Sequence, residues 1–262
     1  METSVVKKDV NELATTNQNA ALWGSEGITA AEIKIPKMLI MQGLSDFVTT
    51  GEAKVGQVVD SLTKEILGGQ LSPKENKDVE FVPFYSWRSL RTMKLVGTKY
   101  EFHRQEPLTM ANETLPWEDV EMWTDPKTGQ KTQLKIRRDK VLNFYVLRPS
   151  DMKEGFAFPY VLSFSRLGMN GGTKLATYIS KLNRAGKTAA SKVFALTVKT
   201  ETNEKGTFFV PEINVVRDTS PEEYQQCFEC HTQLTKNHAA VKIDDIEEAG
   251  EIVASTAEST DF

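Results

Sequence analysis

The sequence predicts a β-rich α+β fold, and three observations carry that prediction. Short runs of β-forming apolar residues follow one another from about residue 79 to 164, with turn chemistry between them. A helical spacing at Thr173–Ala185 interrupts the series, and two more strand-like runs follow it. A capped helical segment then opens at Ser220, close to the end of the apolar sequence.

Taken in order, residues 1–30 are polar and read as a flexible arm. Ile33–Leu44 begins the ordered part, and Pro36 excludes a continuous helix there. Residues 56–67 read as a strand carrying Val58, Val59, Leu62 and Ile66, ended by Gly68-Gly69, and 71–78 as a polar loop. Strands are expected at Val79–Tyr85, Met93–Phe102, Val120–Trp123, Gln133–Ile136, Val141–Leu147 and Ala157–Phe164. Asp125-Pro-Lys-Thr-Gly129 has hairpin-turn chemistry. The nearly unbroken apolar run Lys140–Leu147 reads as a central strand buried on both faces.

Gly171-Gly172-Thr173 is expected to open the helix that runs to Ala185, with Leu175, Ile179 and Leu182 facing the core and Gly186 as its stop. Lys174, Tyr178 and Lys181 fall on an adjacent stripe. Strands at Lys192–Thr200 and Thr207–Val216 are joined by Asn203-Glu-Lys-Gly206 as a hairpin. Ser220-Pro-Glu-Glu223 starts the last helix with a capping residue, a proline in the first position and a glutamate three residues on. That helix is expected to put Tyr224, Cys227, Phe228 and His231 on one face. One domain over 31–240, with an arm before it and a tail over 241–262, is the resulting organisation.

Charge is distributed unevenly. The formal net charge is −4, yet the last residues from Val241 hold seven acids against the single Lys242, so the rest of the chain is slightly positive. A tail of Ala, Ser, Thr, Glu and Asp is too poor in apolar surface to order itself. It reads either as a solubilising end or as a segment that competes with a polyanion and offers its terminal Phe262 to a partner. Residues 155–200 contain no acid but hold Arg166, Lys174, Lys181, Arg184, Lys187, Lys192 and Lys199. Just upstream, Arg137, Arg138, Lys140 and Arg148 surround only Asp139. Aromatics such as Tyr145, Phe164 and Tyr178 interleave with these cations, and cations with rings hold single-stranded nucleic acid. Trp87 between Tyr85, Arg88 and Arg91 is a further stacking candidate; core packing is the alternative for every one of these rings.

Other chemistries are discounted. No run of 18 or more apolar residues spans a membrane, and the polar sequence after Lys7-Lys8 is no export signal, so a cytoplasmic protein is expected. Two cysteines without export suggest no disulfide framework. Cys227-Phe-Glu-Cys230-His231 has the haem-attachment spacing, which needs export, and with His238 forms a possible zinc set on what reads as a structural helix. No metal or cofactor is therefore expected. Gly186-Lys187-Thr188 lacks the earlier glycine of a phosphate loop, because position 181 is lysine. His103 has no convincing acidic partner set, and the chain does not read as an enzyme.

A strand-rich basic body, one helix between strands and an acidic tail ending in Asp261-Phe262 resemble bacterial and bacteriophage single-stranded DNA-binding proteins. The segments Ile35–Leu44 and Val79–Tyr85 also look similar to phage-encoded proteins. The resemblance implies an OB-like, partly open barrel with extra strands, one helix between strands and a C-terminal helix. It also implies sequence-independent single-stranded DNA binding in phage replication or recombination, inside the host cell. Arg88, Arg91, Arg137, Arg138, Lys140, Lys174, Lys181, Arg184 and Lys187 would meet phosphates, and Trp87, Tyr145 and Tyr178 would stack on bases. Asp261 and Phe262 would recruit replication or recombination proteins, and a homo-oligomer is compatible with all of this. Two rivals stand beside it: a strand-annealing or recombination-mediator protein, and a virion or host-interaction protein without single-strand preference.

Overall fold

A computed structural model describes residues 34–237, apart from 73, 98, 125–128, 156 and 205, together with 242–243. The strands are β1 (Lys34–Ile35), β2 (Lys37–Ile40), β3 (Gln57–Asp60), β4 (Ile66–Ser72), β5 (Glu75–Lys77), β6 (Val79–Val96), β7 (Lys99–Pro107), β8 (Glu118–Thr124), β9 (Lys131–Leu147), β10 (Tyr160–Phe164), β11 (Lys192–Asn203), β12 (Gly206–Asp218) and β13 (Lys242–Ile243). The helices are α1 (Asp46–Thr49), α2 (Met110–Glu113), α3 (Pro149–Lys153), α4 (Met169–Arg184) and α5 (Pro221–Asn237). Eleven strands make one mixed sheet in the order β12-β11-β6-β9-β10-β2-β3-β4-β5, with β7 added on β6 and β8 on β9. All its ladders are antiparallel except β10 with β2.

Alternation along the central strands builds two cores. Phe144 and Val146 of β9 face one core with Leu162 and Phe164 of β10, Phe194 and Leu196 of β11, and Leu175 of α4. The residues between them, Tyr145 and Leu147, face a second core with Val161, Val193 and Cys227 of α5. The apolar run in β9 is unbroken because each face has its own helix to bury. β9 lies between β6 and β10, as its composition requires.

The sheet curls without a ladder joining its ends. Asn76 Nδ2 donates to the Val198 carbonyl at 2.6 Å, and the Gln42 amide donates to the Phe209 carbonyl at 2.7 Å while accepting from its N–H at 3.1 Å. Side chains of β5 and of the segment just after β2 thus reach β11 and β12, and the arrangement is a mostly open sheet. Several expected boundaries shift for the same reason. Gly68-Gly69 lies inside β4 rather than ending a strand, because a Cβ at Gly68 would meet the Lys77 carbonyl at 2.6 Å and one at Gly69 the Gly56 carbonyl at 2.4 Å. The polar stretch expected as a loop supplies β5. Val79–Tyr85 and the start of the next expected strand fuse into the 18-residue β6, and Gly97 turns it into β7.

The strands on either side of both expected turns pair antiparallel, β8 with β9 and β11 with β12, the latter closing at Asn203 opposite Gly206, while residues 125–128 of the first turn lie outside the described residues. Helix α4 starts four residues before Thr173. Gly171 and Gly172 are contact points, with a Cβ falling 2.7 Å from the Pro211 carbonyl and 2.6 Å from Phe164 Cβ. Gly186 ends the helix at φ +70°, as its sequence suggests. The capping box of α5 also forms, Ser220 Oγ accepting from the Glu223 N–H at 3.2 Å and Glu223 Oε2 accepting from the Ser220 N–H at 2.9 Å.

Beyond the two cores, β7, β6, β9 and β8 form an arm. The acidic segment from Val241 meets the described residues only at β13, which pairs in parallel with β1. Asp261, Phe262, His238 and residues 1–30 lie outside them.

Candidate nucleic-acid interface

The twelve basic and aromatic candidates do not share one groove. Helix α4 lies on the core face that holds Phe144, whereas Trp87 and Tyr145 lie on the opposite face of the sheet under α5. The thickness of the sheet separates the two sets.

Four candidates are inside the protein. Tyr145 is 1% exposed. Its ring lies 4.5 Å from that of Trp87 and 5.9 Å from that of Tyr85, and burial pushes its phenol up to about 12. A ring packed on these neighbours is not offered to a base. Arg137 is buried with its guanidinium 4.2 Å over the Tyr100 ring and its Nε 3.7 Å from Asp139. Arg138 is buried beside Glu121 at 2.6 Å and Asp119 at 3.1 Å, and it also donates to the Pro116 carbonyl. Arg91 is buried too. Arg137 and Arg138 are structural because the neighbouring strands bring Asp139, Asp119 and Glu121 against them. The sequence shows only charges next to one another.

Arg88 and Lys140 are exposed, and both point to Glu113, at 2.6 and 3.8 Å. The hydrogen bond from Arg88 holds the Glu113 carboxyl below the usual glutamate range. Trp87 is half-buried among Tyr85 and Tyr145.

What the structure does bring together is the outer stripe of α4 and the loop behind it. Lys181, Arg184 and Lys187 are exposed, and their side chains make no hydrogen bond or close ion pair among the described residues, although Lys187 is near enough to Asp218 to help lower its carboxyl. Tyr178 is half-buried beside them, its inner edge against Phe194. Lys174 is partly neutralised, reaching Asn214 at 3.1 Å and Glu212 at 3.8 Å, while Lys199 takes Glu212 at 2.6 Å. A shallow hollow of about 370 Å³ runs along this stripe, lined by Asn170, Thr173, Lys174, Thr177, Tyr178 and Lys181. On the other side of α4 a second hollow of about 270 Å³ lies against Phe84, Tyr85, Ile179 and Asn183.

Two rings were missed by sequence reasoning. Tyr224 and Phe228 of α5 are expected on one face with Cys227 and His231. Instead Cys227, Cys230 and Leu234 pack inward, and Tyr224 is 37% and Phe228 57% exposed. The spacing of Cys227, Cys230 and Leu234 is a core face in its own right and was the available signal. The Thr188 hydroxyl lies 3.4 Å from the Tyr224 hydroxyl, so the Tyr224 ring adjoins the loop that carries Lys187.

Burial raises the thiol of Cys227 to about 12 and that of Cys230 in the same direction. Among the described residues no group of three or more His, Cys, Asp or Glu side chains is placed to hold a metal. No described helix is long and apolar enough to cross a membrane.

The chain matches the model of the Pam3 phage gp34-like protein family over residues 3–240. It belongs to that family, whose name points to a bacteriophage origin. Neither a curated protein nor a solved structure matches it.

Proposed function

We propose that this protein binds single-stranded DNA without sequence preference, as a non-enzymatic component of phage replication or recombination in the host cell. The observation that carries the reading is the set Lys181, Arg184 and Lys187, three exposed cations whose side chains make no close ion pair among the described residues, arrayed beside Tyr178, with only Lys187 near an acid, Asp218. Most other cations of the basic region are matched to carboxylates, so this stripe is where positive potential remains for phosphates. Tyr178 and Tyr224 supply rings for bases at its margins. The curled sheet acts in this proposal as an OB-like platform that holds α4 rigid. The acidic segment beyond residue 243 competes with DNA for the stripe and presents Asp261 and Phe262 to replication proteins.

The reading is tested by titrating a fluorescent dT oligonucleotide and a matching duplex with the full chain at two salt concentrations. Tight, salt-sensitive binding to the single strand alone supports it; equal or absent binding to both rejects it. The exposed apolar residues Trp117, Val120 and Met122 favour a second reading, a protein whose work is to meet other proteins. That reading predicts no preference between single and double strands. Faster annealing of complementary strands would instead identify a recombination mediator.

A further inference from the structure

Strand β6 has a gap along one edge. On the side away from β9 it pairs with β11 at Val79–Phe81 and with β7 from Ser89 onward, and no described strand pairs with it between these stretches. Arg88 marks which backbone groups turn that way, because its carbonyl accepts from the Leu108 N–H at 3.1 Å. Ser86, two residues earlier, therefore turns its own N–H and C=O to the same side, where neither has a ladder partner. The hollow of about 270 Å³ beside α4 opens at this gap, lined by Pro83 and Ser86 of the strand, Ile179 and Asn183 of α4, and Thr188 of the following loop. Phe84 and Tyr85 border it too, but their rings stack on Tyr145 in the second core. The Asn183 amide and the Ser86 hydroxyl are exposed and make no hydrogen bond among the described residues.

We propose that this hollow is a subsite for one nucleobase of the bound strand, an inference that rests on the single-stranded DNA reading above. A base edge carries hydrogen-bond donors and acceptors side by side. The N–H and C=O of Ser86 supply one donor and one acceptor at the gap, and the Asn183 amide supplies both kinds again. Half-buried Ile179 gives the flat side of the base an aliphatic surface. The phosphate has a place as well. Arg184 directly follows Asn183 and Lys187 directly precedes Thr188, so two exposed cations adjoin residues of the lining.

A peptide strand is the other occupant that an open edge invites. It needs a run of successive backbone pairs, and the gap has none to give. Pro83 has no N–H, the register shifts between Pro83 and Tyr85, and the β7 ladder resumes at Ser89. A base needs only one donor and acceptor set, which Ser86 provides.

Fluorescence anisotropy of the full chain with two strands of equal length tests the subsite, one of dT and one with the same phosphates but abasic sites. Asn183→Leu and, separately, Ser86→Trp, which fills the hollow, are each expected to weaken dT binding about tenfold, the scale of one or two lost hydrogen bonds. Binding of the abasic strand and the salt slope are expected to stay at wild-type values, because no phosphate contact is lost. Both residues are exposed, and circular dichroism confirms that the variants are folded. Unchanged dT binding in either variant, or an equal loss on the two strands, overturns the subsite and leaves the phosphate stripe standing. A wild type that binds neither strand overturns the single-strand reading and the subsite with it.

Discussion

Arg104 and Glu121 belong to strands separated by two others, yet they meet in a two-pronged contact at 2.8 and 2.9 Å. Arg138 lies between them, 5% exposed at its side chain, and takes the same carboxylate at 2.6 Å. One glutamate therefore holds both margins of the arm together.

Glu121→Ala should cost about 3 kcal/mol, the low end for breaking a buried pair, because a quarter of the Glu121 side chain is still wet. The hydrogen bond from Arg104, then that from Arg138, holds this carboxyl below the usual glutamate range against the opposing effect of burial. A lowered carboxylate stabilises the fold above its unfolded pKa, near about 4.3, and that contribution fades as pH falls through the folded value. Denaturant unfolding of the wild type should therefore weaken more steeply than that of the variant as pH drops through that window. Parallel pH profiles would contradict the role given to Glu121.

Tyr145 separates a packing role from a binding role. Tyr145→Ala should lose about 3–5 kcal/mol, as large aromatic truncations in a core do. Tyr145→Phe should leave DNA affinity unchanged, because the ring is 1% exposed. A selective loss of affinity in a stable Tyr145→Phe protein would restore it as a base-stacking residue.

Gly172→Ala sets helix propensity against packing. Alanine favours a helix interior by about 1 kcal/mol. The new Cβ, however, falls 2.6 Å from Phe164 Cβ in the core, and overpacking costs about 1–3 kcal/mol. Packing wins, so the melting temperature should fall; a rise would mean that α4 is free to lift off β10.

What the sequence made legible was local. The hairpin chemistry at Asn203–Gly206, the stop at Gly186 and the box at Ser220 and Glu223 each depend on a few neighbouring residues, and each forms. The double-sided run in β9 was legible too, because burial on both faces needs unbroken apolar sequence. What failed depended on distant partners. Gly68, Gly69, Gly171 and Gly172 read as element ends, yet each marks a close approach to a segment remote in sequence or to a neighbouring strand. Arg137 and Arg138 read as surface charge because their partners, Tyr100, Asp119 and Glu121, lie on other strands. Trp87 and Lys181 read as one groove because sequence does not say which face of a sheet a residue takes. The candidate site is therefore smaller than its sequence signature, and the proposal adds Tyr224 to it.

The central claim is that α4 neutralises phosphates, and its salt dependence measures this directly. Single-strand binding loses about 0.7 in log–log slope per phosphate contact removed. Replacing Lys181, Arg184 and Lys187 together by glutamine should flatten the slope by about 2, with the fold unchanged since all three are exposed. Replacing Arg88 and Lys140, which face Glu113, should change it far less. A slope that stays as steep without Lys181, Arg184 and Lys187 would contradict the account.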